Sequence, residues 1–253
     1  MSHQEGRVAV VTGAGTGIGR AIALRLSRGG AKVALLGRTA ERLEKVAAEA
    51  PGETCCLTAD VRDRAGLETA FATARERLGP LQLLVANAGI GGPNDLGGED
   101  RFDDIVATNL HGAYYSVRAF ERHVPPGDDA LHIVVISSCV ARFGVPGISA
   151  YSAAKAGQLG LVRSLAAELA PRIRVNAICP GWVETSMAED RMRELGEETG
   201  AGYEAARRDL LAAVPLDRIS DPDEIAGLID FLCSPDGLAF TGQTLDPNNG
   251  AWM

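Results

Sequence analysis

A tyrosine and a lysine stand four residues apart in Tyr151-Ser-Ala-Ala-Lys155, a spacing that puts both side chains on one face of a helix. A free phenol, with a pKa near ~10, exchanges protons poorly at neutral pH, and a neighbouring ammonium stabilises its phenolate. The pair could therefore trade a proton with an oxygen atom of a substrate. Alone, Tyr-x-x-x-Lys is a common chance pattern. Two other polar residues could complete it. Ser138 follows an apolar run ahead of that helix and could hydrogen-bond the substrate oxygen. Asn109, ahead of a helical stretch containing Tyr114, is a candidate to hold a water against the lysine.

A second chemical signal lies near the amino terminus, in Thr12-Gly-Ala-Gly-Thr-Gly-Ile-Gly19. Gly13, Gly17 and Gly19 permit a tight turn and close backbone approach. Thr16 and Ile18 then lead into a helix whose free N–H groups can face a pyrophosphate. The string sits between an apolar run and an amphipathic stretch, the context a dinucleotide-binding turn requires. After the second apolar run comes Leu36-Gly37-Arg38-Thr39. No acid is present there to hold the adenosine ribose hydroxyls of NAD, and Arg38 can pair with the 2′-phosphate of NADP. Thr39 can cap the next helix at the same time. NADP(H) is favoured, with NAD(H) left open.

These residues need a frame, and the apolar pattern supplies one. Val8–Thr12, Lys32–Leu36, Thr54–Ala59, Leu81–Ala86, Ile133–Ile136 and Val175–Cys179 read as buried strands. Helical periodicity fills 18–26, 41–50, 63–78, 101–123, 149–170 and 222–233. Strands of this kind alternating with helices predict a parallel sheet covered on both faces, an α/β doubly wound fold. No linker or repeat divides the chain, so one domain over 1–253 is expected. A glycine-rich loop at 90–98 and a polar helical insertion at 187–213 follow predicted strands, where open α/β sheets bind ligands. The insertion reads as a substrate lid.

Composition narrows the class. The chain has 253 residues, 46% hydrophobic and 23% charged, with a net charge of −8 and no compensating basic patch, which argues against nucleic acid. There is no apolar run long enough to span a bilayer, and the opening residues lack an apolar signal region. A cytoplasmic protein is expected. Its five cysteines are scattered and lack zinc-like spacing, so no metal is expected.

In order along the chain, Thr12-Gly-x-x-x-Gly-Ile-Gly19, Asp60-Val61, Asn87-Ala-Gly89, Asn109, Ser138, Tyr151-x-x-x-Lys155, Asn176 and Pro180-Gly181 resemble the short-chain dehydrogenase/reductase family. The resemblance spans essentially the whole chain. It implies a seven-stranded parallel Rossmann-type sheet, dimers or tetramers, and a catalytic tetrad at Asn109, Ser138, Tyr151 and Lys155. It also implies that Asp60 and Val61 meet the adenine, and that Asn87, Ala88 and Gly89 flank the cofactor. Beyond Pro180-Gly181, it implies that Val183 and Thr185 hold the carboxamide. The implied reaction is hydride transfer between the nicotinamide and a carbonyl or alcohol carbon. Tyr151 exchanges the proton, Lys155 binds the nicotinamide ribose and lowers the tyrosine pKa, and Asn109 with a water links Lys155 to solvent.

There are departures from the family pattern. Ala86 stands where many members have an asparagine, and Thr16 where many NADP-specific members have a base. Asp246-Pro-Asn-Asn-Gly250 replaces the usual Asp-Gly-Gly, so the tail Ala251-Trp-Met253 is expected to pack differently.

The substrate surface is expected from 91–97, 139–147 and 182–213. Cys139, Val140, Phe143, Val145 and Trp182 suit a ketone with hydrophobic bulk, while Arg142 reads more readily as solvent-facing than as an anion contact. Glu184-Thr-Ser-Met187 and the insertion resemble 3-oxoacyl-carrier-protein reductases and polyketide ketoreductases. Arg172 is placed by resemblance to meet an acidic carrier, but Pro126-Gly-Asp-Asp129 puts two acids where a basic rim would serve. A free small-molecule ketone or alcohol is the first expectation and a carrier-bound one the second. A catalytically silent nicotinamide sensor would have lost the tyrosine or lysine, and both are present. A structural subunit active only through partners is the remaining alternative.

Overall fold

Strong apolar runs become the strands of one sheet in the computed structural model, which describes residues 4–94, 100–127 and 131–253. They are β1 (Val8–Thr12), β2 (Lys32–Gly37), β3 (Thr54–Thr58), β4 (Leu83–Ala86), β5 (Leu131–Ile136), β6 (Ile173–Ile178) and β7 (Thr244–Leu245). All pair in parallel in the order β3-β2-β1-β4-β5-β6-β7. The order reverses between β1 and β4, which opens a crevice at the carboxyl ends of those strands. The architecture is the expected doubly wound Rossmann-type α/β fold.

Alternate residues along each strand feed two cores. On one face Val10, Leu36, Leu84, Ile133 and Val135 pack with Leu67 and Phe71 of α3 (Arg64–Leu78) and with Leu159 and Val162 of α6 (Ser149–Leu169). On the other, Val11, Leu35, Val85, Val134 and Ile136 meet Ile22 and Leu26 of α1 (Gly17–Arg28). The same layer includes Leu43 and Val46 of α2 (Ala40–Glu49) and Ile225 and Ile229 of α9 (Pro222–Leu232). Period-two alternation with both faces buried explains why the strands read as nearly unbroken apolar runs.

Helix ends follow their sequence signals unevenly. Asp221 and Glu224 form a reciprocal capping box on α9, with Pro222 at the first position. Thr39 occupies the N-cap position of α2, but its hydroxyl makes no cap bond. The stretch 101–123, which reads as a single helix, has three parts. They are α4 (Phe102–Val106), a π turn (Ala107–His111) and α5 (Gly112–Phe120). In the π turn the Gly112 N–H reaches back five residues to the Ala107 carbonyl. Hydrophobic periodicity does not register such a one-residue slip. The polar insertion becomes α7 (Ser186–Thr199) and α8 (Tyr203–Ala212). Gly200 turns the chain in the left-handed region between them, and Gly196 lies so close to Gly202 that a Cβ there would sit 2.6 Å from its carbonyl carbon. Among the described residues, no helix is long and apolar enough to cross a membrane.

Candidate active site

The glycine turn lies at the mouth of the β1/β4 crevice. Gly13 (φ +66°) and Gly17 (φ +52°) both adopt left-handed backbone conformations. A Cβ on Gly19 would stand 2.3 Å from the Gly13 carbonyl oxygen, so that glycine lets α1 close onto the turn. Thr16 at the N-cap of α1 makes no side-chain cap bond, leaving first-turn N–H groups to a ligand. Behind the turn, the Thr12 hydroxyl accepts from the Asn87 and Ala88 N–H groups, both at 3.0 Å. The Asn87 amide donates to the Thr12 carbonyl at 2.9 Å. These bonds tie the ends of β1 and β4 and hold the crevice open.

One continuous wall of that crevice runs from Gly13, Thr16, Gly17 and Ile18 to Arg38 and Thr39, then Asp60 and Val61, then Asn87, Ala88 and Gly89. Tyr151, Lys155, Thr185, Ser186 and Met187 continue it. Arg42 joins the wall as well. It lies on the first turn of α2, just after the Arg38-Thr39 entry to that helix. Asp60 is chelated by Arg62 at 2.7 Å, which with the nearby Arg38 charge keeps its carboxyl below the ordinary range. The turn, the free helix terminus and the two exposed guanidinium groups fit a dinucleotide carrying an extra phosphate.

Of the residues expected at the carboxamide end, Thr185 is on the wall, and Pro180, Gly181 and Val183 are in the chain that leads to it. Val183 is buried and bridges in parallel to Ser220. Pro180 and Gly181 anchor loops: the Pro180 carbonyl accepts from the Cys139 N–H and the Gly181 N–H donates to Pro247. Thr185 caps α7, accepting from the Ala188 N–H, and its methyl group packs on the glycine turn.

Helix α6 presents the tyrosine and lysine as their spacing predicts. Lys155 is 4% exposed; its Nζ donates to the Ile136 carbonyl at 2.9 Å and stands 5.5 Å from the Tyr151 ring centroid. The neighbouring Ser137 hydroxyl donates to the Lys155 carbonyl. Ser138 caps a short 3-10 turn at 139–141, accepting from the Val140 N–H. Burial is the largest influence on both reacting groups. It pushes the Tyr151 phenol up to about 12, against the lowering effect of the Ser138 hydrogen bond. It brings the Lys155 ammonium down to about 8. On the tyrosine, burial therefore acts against the formation of a phenolate.

Asn109 lies within the π turn and is fully buried. Its side chain is pinned on both sides of Ile90: Oδ1 accepts from the Ile90 N–H at 2.8 Å and Nδ2 donates to the Ile90 carbonyl at 2.9 Å. The side chain thereby clamps the loop after β4. Its backbone carbonyl accepts from Gln158 Nε2 at 2.7 Å.

The loops on the substrate side interlock. Asn94 Oδ1 accepts from the Ser149 hydroxyl at 2.7 Å and the Ala150 N–H at 3.2 Å, capping α6, whose own N-cap residue Ile148 provides no cap. Arg142 is neither solvent-facing nor free for an anion. It pairs with Asp246 at 3.2 Å and lies 5.2 Å over the Trp252 ring. That contact and the Asn248 bond to the Trp252 carbonyl fasten the altered tail. Arg172 donates to the Pro125 carbonyl. The 95–97 part of the expected substrate surface, and the acids Asp128 and Asp129, lie outside the described residues.

Comparison with known proteins agrees with this geometry. The family model described as short chain dehydrogenase matches residues 7–196. The chain is 36% identical to the 3-oxoacyl-[acyl-carrier-protein] reductase FabG of Escherichia coli (strain K12), over 98% of each chain. Actinorhodin polyketide ketoreductase, solved with NADPH, superposes with a TM-score of 0.91 at 35% identity over 99% of each chain. The 3-ketoacyl-(acyl-carrier-protein) reductase of Brucella melitensis, complexed with NADH, does so with a TM-score of 0.86 at 32% identity, over 99% of this chain and 100% of the other. The chain belongs to the short-chain dehydrogenase/reductase family, oxidoreductases that interconvert CH–OH and C=O groups with NAD(P)(H).

Proposed function

We propose that the protein reduces a ketone of a free small molecule with NADP(H), or oxidises the matching secondary alcohol, through Asn109, Ser138, Tyr151 and Lys155. The observation that carries this reading is that Tyr151 and Lys155 share one crevice wall with Arg38 and Arg42. Gly13, Thr16, Gly17, Ile18 and Gly19 would cradle the pyrophosphate, and Arg38 with Arg42 the 2′-phosphate. Asp60 and Val61 would meet the adenine, with Asn87, Ala88 and Gly89 beneath the ribose and Val183 and Thr185 at the carboxamide. Pro180 and Gly181 set the loop that carries the last two.

When bound, the nicotinamide supplies or accepts the hydride at the substrate carbon. Ser138 and Tyr151 donate hydrogen bonds to the carbonyl oxygen and stabilise the negative charge that develops there. Tyr151 then gives up its phenolic proton. An alkoxide is a stronger base than a phenolate, so even a phenol raised to about 12 transfers its proton downhill in reduction. Lys155 has one donor on the Ile136 carbonyl, leaving two for ribose hydroxyls and for returning a proton to the tyrosine. Asn109 holds the π turn and the Ile90 loop that bound this relay. The α7–α8 hairpin, entered through the crevice residues Ser186 and Met187, acts as the lid. The same reading makes the chain one domain, cytoplasmic, a homodimer or homotetramer, with no nucleic-acid or membrane partner.

Titration with NADPH and with NADH, for the wild type and Arg38→Ala, tests the cofactor side. Tighter binding of NADPH that the variant loses supports the reading, and equal binding of the two by the wild type refutes the preference. A second reading rests on the end-to-end similarity to 3-oxoacyl-[acyl-carrier-protein] reductases. Turnover of a 3-oxoacyl thioester on a carrier protein, with none of free ketones, would select it. Against it, Arg172 and Arg142 are already engaged within the chain.

A further inference from the structure

Gln158 lies on α6, three residues beyond Lys155 and therefore on a neighbouring strip of the same helix face. It is 1% exposed. Its amide has only one possible orientation. The Asn109 carbonyl can only accept, so the nitrogen must face it, which turns Oε1 the other way. That oxygen is buried and has no hydrogen-bond partner. Most buried side-chain oxygens in native proteins are satisfied, by protein or by ordered water. Meanwhile the Asn109 side chain is fully engaged with Ile90. Among the described residues, Gln158 Oε1 is thus a buried acceptor beside the π turn with no protein partner.

We propose that Gln158 is a positioning residue of the proton relay: it fixes the Asn109 carbonyl with its nitrogen and holds the relay water with its oxygen. The proposal rests on the relay reading given above and assigns the water a second acceptor that the tetrad does not include. A water with one bond to Gln158 Oε1 keeps both a donor and its lone pairs for the Lys155 side of the relay. Without that acceptor, the water is held by one partner fewer, and reprotonation of Tyr151 through Lys155 slows. The other titratable groups bearing on Lys155 are Tyr151 on its own helix and Cys179 at the end of β6.

The test uses Gln158→Leu and Gln158→Glu beside Tyr151→Phe, with NADPH titration and thermal unfolding as controls of the fold. Gln158→Leu keeps the volume and removes both hydrogen-bonding functions. The expected result is wild-type NADPH affinity and ketone KM, kcat lower by roughly 10- to 100-fold, and a shifted pH profile of kcat. Gln158→Glu is expected to recover activity at low pH, where a protonated carboxyl both donates and accepts, and to lose it as the carboxyl ionises. Wild-type kcat and pH profile in Gln158→Leu would overturn the proposal. So would a loss of kcat that tracks unfolding with the pH profile unmoved. Should Gln158→Leu fail to fold, Gln158→Glu decides alone, since a pH profile identical to wild type overturns the proposal. The two levels separate cleanly. An active Tyr151→Phe refutes the tetrad itself, whereas a dead Tyr151→Phe with a normal Gln158→Leu refutes only the role of Gln158.

Discussion

The cofactor half and the reaction half of the crevice are built by different means. Between β1 and α2, the turn, the helix terminus and Arg38 follow one another in a single stretch from Gly13 to Arg38, and each does its work through its own backbone conformation or side chain. The reaction half is assembled from distant pieces. Asn109 in the π turn clamps Ile90, Gln158 on α6 holds the π turn, and Asn94 in the loop after β4 caps α6. Local chemistry makes the first half legible residue by residue. The second half is a network whose members have no distinguishing neighbours in sequence.

The largest expected effect breaks the reaction half and spares the other. Tyr151→Phe removes the proton donor and nothing of the cofactor wall's charge. It should lower kcat by about 10²- to 10⁴-fold, with NADPH affinity unchanged by fluorescence titration. A parallel loss of NADPH binding would show that the halves are not separable.

Arg38→Ala with Arg42→Ala breaks the cofactor half alone. Each charge-assisted bond to a phosphate contributes about 1.5–3 kcal/mol, so the preference for NADPH over NADH should fall by roughly 10- to 100-fold per arginine. Saturating NADPH should restore kcat. A kcat that stays low at saturation would place these arginines in more than binding.

Much of this contrast could be read in the residues, and its limits have physical causes. Val8–Thr12 and the glycine turn were readable because backbone conformation and burial there are set by neighbours. The Tyr151/Lys155 face followed from helix geometry. The π turn left no trace, since a one-residue slip inside a helix preserves the apolar stripe around it. The two-residue β7 carries too little pattern to register as a strand and was implied only by family resemblance. Pairing partners were invisible too. Arg142 read as solvent-facing because Asp246 lies 104 residues away. Burial of the tyrosine, which raises its pKa, is likewise invisible in charge spacing.

His132 supplies a control that belongs to neither half. It is the second residue of β5, at the end of the sheet away from the crevice, and is 1% exposed. Burial, with Arg7 and Arg174 nearby, lowers its pKa to about 3 from 6.5. The unfolded chain therefore binds a proton below pH 6.5 that the folded chain refuses. Stability falls as pH drops through that window, by about 1.4 kcal/mol per unit, or about 2 kcal/mol between pH 6.5 and 5. Urea unfolding at the two pH values measures this, and His132→Leu should flatten the slope. If activity lost in acid returns in His132→Leu, the loss came from the fold and not from the relay.

The smallest expected effect asks how tightly the network is coupled. Asn94 accepts from the first turn of α6, and Tyr151 is the residue after Ala150, whose N–H it caps. Replacing a capping side chain with alanine costs about 1 kcal/mol, which for a chain of this size lowers Tm by roughly 2–4 °C. Asn94→Ala also frees the loop from Ser149, so the tyrosine loses its fixed approach to Ser138. A rise in positional freedom at the proton donor should lower kcat several-fold while NADPH affinity stays at the wild-type value. If Tm falls and kcat does not, α6 holds its register from β6 and the core alone, and the Asn94 contact is a tether for the loop. If kcat falls further than the lost cap energy accounts for, the loop after β4 helps set the reaction geometry. The reaction half would then be one cooperative unit running from Asn94 through Tyr151 to Asn109.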